Sequence, residues 1–283
     1  MESNSKARVL ELTPEDMTVT VETGIALGTL QKELAKHRQW LPIDLPNAET
    51  TSIHDVLARD LSGPRRFGYG TVREHLIGMK VALADGRIIK SGGKVVKNVA
   101  GYDLAKLFIG ARGTLGTIIE ATFKLRPLPE AERIIGARFA ITEATQAIRS
   151  VLNSELTPVV LDLHRLDGLA EVTLVIGLAG MREEVEWQSA LAARLGFQAA
   201  AALEYEAVFW KDSVPAQRFS ALPSRLMESI AKLGNRPFVA RAGNGTIYYR
   251  GESVGPERAL PVELMRRVKD AYDPKNVLTE FES

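Results

Sequence analysis

The feature that most constrains this chain is the stretch Arg126-Pro127-Leu128-Pro129-Glu130. Two prolines one residue apart break both the helical and the strand period, because each lacks an amide hydrogen and fixes its own φ. The sequence before the break is glycine-rich and strand-poor in its middle. The sequence after it is a regular succession of strands and helices. At 283 residues the length suits one large or two modest domains of ~100–200 residues each. The expected division is 1–128 and 129–283.

Before the break, Arg8–Leu12 and Met17–Glu22 read as a strand pair around Thr-Pro-Glu-Asp, a turn sequence. Leu27, Leu30 and Leu34 recur at helical spacing and predict an amphipathic helix over Leu27–His37. Pro42–Thr51 is irregular. Ser52–Leu61 predicts a short helix, with Ser52 as a cap three residues before Asp55. Ser62–Gly70, SGPRRFGYG, reads as a loop, Glu74–Leu83 as a buried strand, and Asp85-Gly86 as a hairpin turn into Arg87–Lys90. Lys94–Gly116 places Gly101, Gly110, Gly113 and Gly116 around a short helical pattern at Tyr102–Ile109. Such glycines mark sharp turns or the close approach of something large. Thr117–Leu125 then alternates as a strand.

After the break, strand, helix, strand, strand and helix patterns succeed one another over Arg133–Ile141, Glu143–Asn153, Val159–Arg165, Glu171–Leu178 and Arg182–Leu195. That order is the one of a ferredoxin-like α+β layer. Phe197–Asp212 reads as a strand with a helical turn around Phe209-Trp210. Beyond it come a strand at Arg218–Leu222, a helix at Leu226–Leu233, a strand hairpin of Pro237–Arg241 and Thr246–Arg250, and a last helix over Leu260–Tyr272.

Charge and composition exclude several functions. Lysines and arginines number 36 against 35 aspartates and glutamates, a net charge of +1, so nothing electrostatic draws the chain to nucleic acid or an anionic surface. Cysteine is absent. That excludes a disulfide, a thiolate nucleophile and a thiolate-bound iron–sulfur cluster within this chain. The four histidines, at 37, 54, 75 and 164, have no ligand spacing, so no metal is expected; His54 and His75 read as structural or surface residues. No apolar run approaches the ~20 residues of a membrane span, and MESNSKARVLEL lacks a signal-peptide core. A cytoplasmic location is expected, with any membrane association coming through a partner.

Taken in order, SGPRR, VREHLIGMKVALADGR, KNVAGYDL and GTLGTI resemble the flavoprotein family typified by vanillyl-alcohol oxidase, in its branch of FAD-binding glycolate oxidase subunits. The resemblance covers Arg8–Pro129 and continues more weakly through ARAGNGTIYYR and LMRRVKDAYDPKNVL. It implies an α+β fold: a PCMH-type FAD-binding domain over 1–128, lacking its N-terminal pyrophosphate-loop unit, then a ferredoxin-like cap domain with a C-terminal helix over 129–283. It also implies that Ser62, Gly63, Pro64, Gly68, Gly70 and Thr71 run along the isoalloxazine ring and ribityl chain. Backbone groups of Gly113, Thr114, Gly116 and Ile118 would line the flavin and adenine region, with Lys97, Asn98, Gly101 and Asp103 positioning that wall.

Two departures accompany it. The family's glycine-rich pyrophosphate loop lies upstream of where this sequence begins, and its Thr-Ile-Gly-Gly contact is matched here by Thr51-Ser52-Ile53-His54-Asp55. An aspartate beside a pyrophosphate repels it. The implied activity is oxidation of glycolate or another small 2-hydroxy acid, with electrons passed to an iron–sulfur subunit beside a full-length FAD subunit; the alternative is a non-catalytic scaffold of the same fold. No catalytic base stands out. Arg241 and Arg250 are candidates to hold a substrate carboxylate, and Ala242–Gly245 is most simply a hairpin turn. Tyr102 and Phe108 read as core rather than flavin-stacking groups.

Overall fold

In the computed structural model, residues 7–93, 105–168, 170–199, 203–211, 216–254 and 261–280 are described. The chain forms two compact units. Met1–Gly63, Gly70–Leu128 and Arg258–Ser283 make the first; Pro64–Tyr69 and Pro129–Glu257 make the second.

Along the chain the first elements are β1 (Val9–Thr13), β2 (Thr18–Glu22), α1 (Leu27–Ala35), β3 (Gln39–Trp40) and α2 (Ile53–Ala58). Then come α3 (Arg66–Tyr69), α4 (Val72–His75), β4 (Leu76–Ala82), β5 (Ile88–Gly92), α5 (Ala105–Phe108), β6 (Thr117–Lys124) and β7 (Arg126–Pro127). A five-stranded sheet of order β1-β2-β6-β4-β5 organises the first unit, and its neighbours pair antiparallel. Alternation sorts its two faces. Val19 and Val21 of β2, Met79 and Val81 of β4 and Ala121 and Phe123 of β6 join Leu27, Leu30 and Leu34 of α1 in one buried core. Thr20 and Thr122 meet on the other face at 3.0 Å, beside a Lys80–Glu120 ion pair of 2.8 Å.

Three expectations change here. The predicted strand Glu74–Leu83 loses its first residues to α4, because Glu74 turns back to accept the Thr71 amide at 2.5 Å and starts a helical turn. The Ser62–Gly70 loop contains α3. Arg126-Pro127, read only as a break, pairs with β3, where proline sits at a sheet edge and has no ladder hydrogen bond to lose.

The second unit contains β8 (Ala131–Ala140), α6 (Ala144–Leu152), β9 (Val160–Arg165), β10 (Glu171–Gly180), α7 (Arg182–Arg194) and β11 (Gln198–Ala199). These are followed by α8 (Glu204–Lys211), β12 (Ala216–Ser220), α9 (Leu226–Ala231), β13 (Phe238–Arg241) and β14 (Thr246–Arg250). Its seven strands run β11-β8-β10-β9-β13-β14-β12. The first four in that order, joined by α6 and α7 and paired antiparallel, form the ferredoxin-like layer. A large apolar core including Leu161, Leu163, Leu174, Ile176, Ala147 and Val185 lies on one side. A smaller cluster of Ile134, Val175, Val239, Tyr205 and Phe209 brings α8 onto the sheet.

The last helix, α10 (Val262–Tyr272), belongs to the first unit, whereas 129–283 was expected to stay together. Lys269 explains the placement. Its buried Nζ donates to Thr114 O at 3.0 Å, to Asp273 Oδ2 at 2.5 Å and to Thr279 O at 3.1 Å. Tyr272 meets Phe108 edge-on with centroids 5.6 Å apart, so Phe108 is core, in line with its reading from the sequence.

Candidate functional site

The site is built where β2 ends. Thr23 and Gly24 follow the strand, and residues 51–54 come alongside them: the Ile53 amide donates to Ile25 O at 2.9 Å and the His54 amide to Thr23 O at 2.7 Å. Ser52 caps α2 as its spacing predicts. It accepts the Asp55 amide at 3.0 Å and donates to Asp55 Oδ2 at 2.5 Å. On the opposite wall, Ile118 O accepts the Thr23 hydroxyl at 2.6 Å. It also accepts His54 Nδ1 at 3.2 Å. A carbonyl carries no proton, so Nδ1 holds the hydrogen of this bond. Between these walls lies a hollow of about 520 Å³ lined by residues 22–24, His54 and 117–120, within the ~300–1,000 Å³ range of small-molecule sites.

Few of the expected site residues belong to this hollow. Ile118 lines it. Thr114 is buried, its hydroxyl donating to Ala111 O at 2.7 Å and its carbonyl accepting Lys269. Gly113 has φ +78°, with only Thr279 Oγ1, at 3.9 Å, near where a Cβ would stand; among the described residues it is the most open of the expected glycines. A Cβ at Gly116 would meet Val81 Cγ1 at 2.7 Å. At Gly63 it would lie 1.7 Å from Asp44 O, and at Gly70, whose φ is +84°, 1.8 Å from Glu74 Oε2. At Gly68 it would lie 2.6 Å from Val159 Cα, and the Gly68 amide donates to Val159 O at 3.1 Å. Protein atoms therefore make the close approaches at these four glycines. Pro64 is buried, its carbonyl accepting the Phe67 amide, Ser62 is half-buried, and Thr71 opens α4. Ser62, Gly63, Gly70 and Thr71 cluster with the first unit, whereas Pro64 and Gly68 cluster with the second. Lys97, Asn98, Gly101 and Asp103, with Tyr102, lie outside the described residues.

Whether FAD fits can be judged from the amides. A diphosphate needs unspent N–H donors, as at a helix start. Here Leu27 N donates to Thr51 O, Gly28 N to Ala48 O, Ile53 N to Ile25 O and His54 N to Thr23 O, and Asp55 N to Ser52 Oγ. The first turn of α2 and the first two amides of α1 are thus occupied by the chain itself. Asp55, expected to repel a phosphate, is instead tied to Ser52. The hollow accommodates a nucleoside-sized group; the segment matching the pyrophosphate contact does not fit a diphosphate.

In the second unit the sequence reading of Arg241 and Arg250 is corrected. Arg241 is buried and gives Nη1 and Nη2 to the two Glu206 oxygens at 2.7 and 2.9 Å, and Nη1 also to Asp162 Oδ2. Tyr205 donates to Asp162 Oδ2 at 2.6 Å and Trp210 Nε1 to Glu206 Oε2 at 2.9 Å. A carboxylate of the chain itself fills the fork a substrate would need. Arg250 donates to Phe209 O and lies over the Phe209 ring at 4.7 Å. Burial, with Glu206 adding repulsion and Arg241 opposing both, pushes the Asp162 carboxyl up to about 7. Burial drives His164, stacked on Tyr205 at 4.5 Å, down to about 4. The sequence signal that could have found this cluster is Asp162 itself, a charge inside the apolar strand VLDLHR. Among the described residues no group of acidic residues and histidines is arranged to hold a metal.

Residues 3–92 match the family described as FAD binding domain. Glycolate oxidase subunit GlcD of Bacillus subtilis (strain 168) is 34% identical over 156 residues, 55% of this chain and 33% of that protein. Glycolate oxidase subunit GlcE of Escherichia coli (strain K12) is 33% identical over 141 residues, 50% of this chain and 40% of that protein. A probable mitochondrial D-lactate dehydrogenase of Danio rerio is 40% identical over 127 residues, 44% of this chain and 25% of that protein. The matched stretch therefore spans two fifths or less of each of these relatives. A solved alkyldihydroxyacetonephosphate synthase superposes with TM-score 0.71 at 19% identity, covering 95% of this chain and 64% of that one. The fold is accordingly that of a PCMH-type FAD-binding domain with a mixed α/β second unit, and the cofactor these matches indicate is FAD.

Proposed function

We propose, from the FAD-binding domain that residues 3–92 match, that this chain is a subunit of a flavin-dependent oxidoreductase acting on a small 2-hydroxy acid, glycolate first. In this reading 1–128 acts as the FAD-binding domain and the ferredoxin-like layer after Pro129 as its cap. The single observation that supports it is the hollow at Thr23, His54 and Ile118, which joins Ile118, from the wall the resemblance gives to flavin and adenine, to His54, from the segment it matches to the pyrophosphate contact. FAD supplies the hydride acceptor when bound. The chain's own residues line and shape: Thr23 and His54 fix the Ile118 carbonyl, and Gly113 leaves the backbone approachable. With no cysteine, onward transfer through iron–sulfur centres belongs to another polypeptide, and a full-length flavin subunit is the natural second partner. No helix of the described residues is long and apolar enough to cross a membrane.

The occupied first turn of α2 favours a second reading, a scaffold subunit that keeps the fold without holding FAD by itself. Co-expression with a full-length flavin subunit and a cysteine-rich iron–sulfur subunit separates these. The first reading expects a co-purifying assembly whose glycolate-dependent dye reduction falls when this chain's hollow is filled from its exposed wall by Thr117→Trp. An assembly indifferent to that change supports the scaffold, and absence of any assembly contradicts both.

A further inference from the structure

We infer that the polar face of the five-stranded sheet is self-complementary and docks against the same face of a second copy of this chain. The pairing register carries the argument. Glu22 of β2 stands opposite Glu120 of β6, Glu120 opposite Lys80 of β4, and Lys80 opposite Lys90 of β5. Directly opposed residues project from one face, so one row across four strands reads acid, acid, base, base. Solvent reaches all four side chains.

Within one chain this row is only half settled. The central Lys80–Glu120 pair closes at 2.8 Å, but each of its members also faces a like charge, an arrangement that destabilises a sheet. Glu22 accepts the Arg8 amide at 3.1 Å, while the Arg8 guanidinium stays 3.9 Å away. A net charge of +1 sets up little long-range repulsion between copies.

A twofold axis along the strands, between β6 and β4, reverses the row. It sets Glu120 against the second copy's Lys80 and Glu22 against its Lys90, and every contact is made twice, as in any isologous interface. The neighbouring row has the matching asymmetry of shape. Thr20 and Thr122 stand on β2 and β6, and Gly78 and Gly92, with no side chains, continue the row on β4 and β5. A hollow of about 310 Å³ lies there, lined by Thr20, Thr122, Gly78, Lys80 and Lys90 among others. The same axis brings the second copy's threonines over the glycines. Sheets packed face to face lie ~10 Å apart, a gap that opposed lysine and glutamate side chains can bridge.

Sedimentation velocity of the 283-residue chain tests this, with Lys90→Glu and Glu22→Lys as probes because both leave the Lys80–Glu120 pair in place. A dimer is expected at about 50 mM salt, weakened about tenfold or more at ~1 M salt, where charges are screened within ~3 Å. Each variant alone opposes like charges across the axis and should lose about tenfold or more in dimer affinity. An equimolar mixture of the two restores both outer contacts and should recover the wild-type affinity, which also shows that the variants are folded. A wild-type chain that stays monomeric at about 100 µM overturns the inference, as does a dimer that both variants leave unchanged or a mixture that fails to recover. None of these outcomes bears on the proposed function, since neither Glu22→Lys nor Lys90→Glu is needed to read FAD binding by the wild-type chain.

Discussion

The two units settle their buried polar groups in opposite ways. Around the hollow of the first unit, backbone answers backbone and neutral side chains: Ile53 N on Ile25 O, His54 N on Thr23 O, the Thr23 hydroxyl on Ile118 O. In the second unit, ionisable side chains answer one another beneath α8, where Arg241 faces both Asp162 and Glu206. The first arrangement runs through backbone carbonyls and leaves space. The second is closed and carries two carboxylates on one guanidinium, so its stability depends on a proton. A polar cluster can thus look like a binding site in sequence and be sealed in the fold, while an unremarked strand end makes the opening.

The contrast is broken most severely at Arg241. Arg241→Met leaves Asp162 and Glu206 buried without their cation, at a cost of about 3–5 kcal/mol; thermal unfolding that shows no loss would contradict the charge-settled account. The pH dependence comes next. The folded Asp162 carboxyl lies near 7 against an ordinary 3.8, so its contribution is fully present below pH ~4 and is lost as pH rises through ~7. At ~1.4 kcal/mol per pH unit the loss is on the order of 4 kcal/mol at most. Asp162→Asn should flatten this fall and make the variant the more stable protein at pH 8 relative to pH 5. His164 works the other way, since its depressed value of about 4 costs stability as pH falls from ~6.5 toward 4. Subtracting wild-type from Asp162→Asn urea midpoints at each pH isolates Asp162.

In the first unit, Lys269→Met removes a buried ammonium from four oxygen acceptors, with about 2–3 kcal/mol lost. Burial works against the charged form of Asp273, yet Lys269 and the amides of Val277 and Leu278 hold its carboxyl below the usual range; in the variant it should rise, read by carboxyl-carbon NMR titration. The smallest effect is at the α2 cap. Ser52→Ala should cost about 1 kcal/mol, because the Asp55 amide loses its acceptor and the half-exposed Asp55 carboxylate loses the Ser52 hydroxyl; a loss several times larger would mean that Ser52 shapes the whole hollow.

Much of the fold was legible because periodicity and turn chemistry agreed. β2 reads TVTVE with alternate burial, Gly86 takes φ +84° in its Asp-Gly turn, and the order from β8 to α7 comes directly from alternating patterns. The site was less legible for a physical reason. Gly63, Gly68, Gly70 and Gly116 signal close approach, but a glycine does not say whether a ligand or the chain's own backbone approaches. Asp44, Val159, Glu74 and Val81 take those places. Thr23, just past the expected strand Met17–Glu22, gave no signal, since a hydroxyl reaching a carbonyl 95 residues away leaves no local pattern. Arg241 looked available because its partner Glu206 lies 35 residues earlier on a helix that the sequence showed only as a turn around Phe209-Trp210.

The central claim, that the Thr23–His54–Ile118 hollow receives the nucleotide, is tested most directly by hydrogen–deuterium exchange of the 283-residue chain with and without FAD. Slowed exchange confined to peptides containing residues 22–24, 52–55 and 113–120 is the predicted result. FAD binding that leaves those peptides unchanged would contradict it.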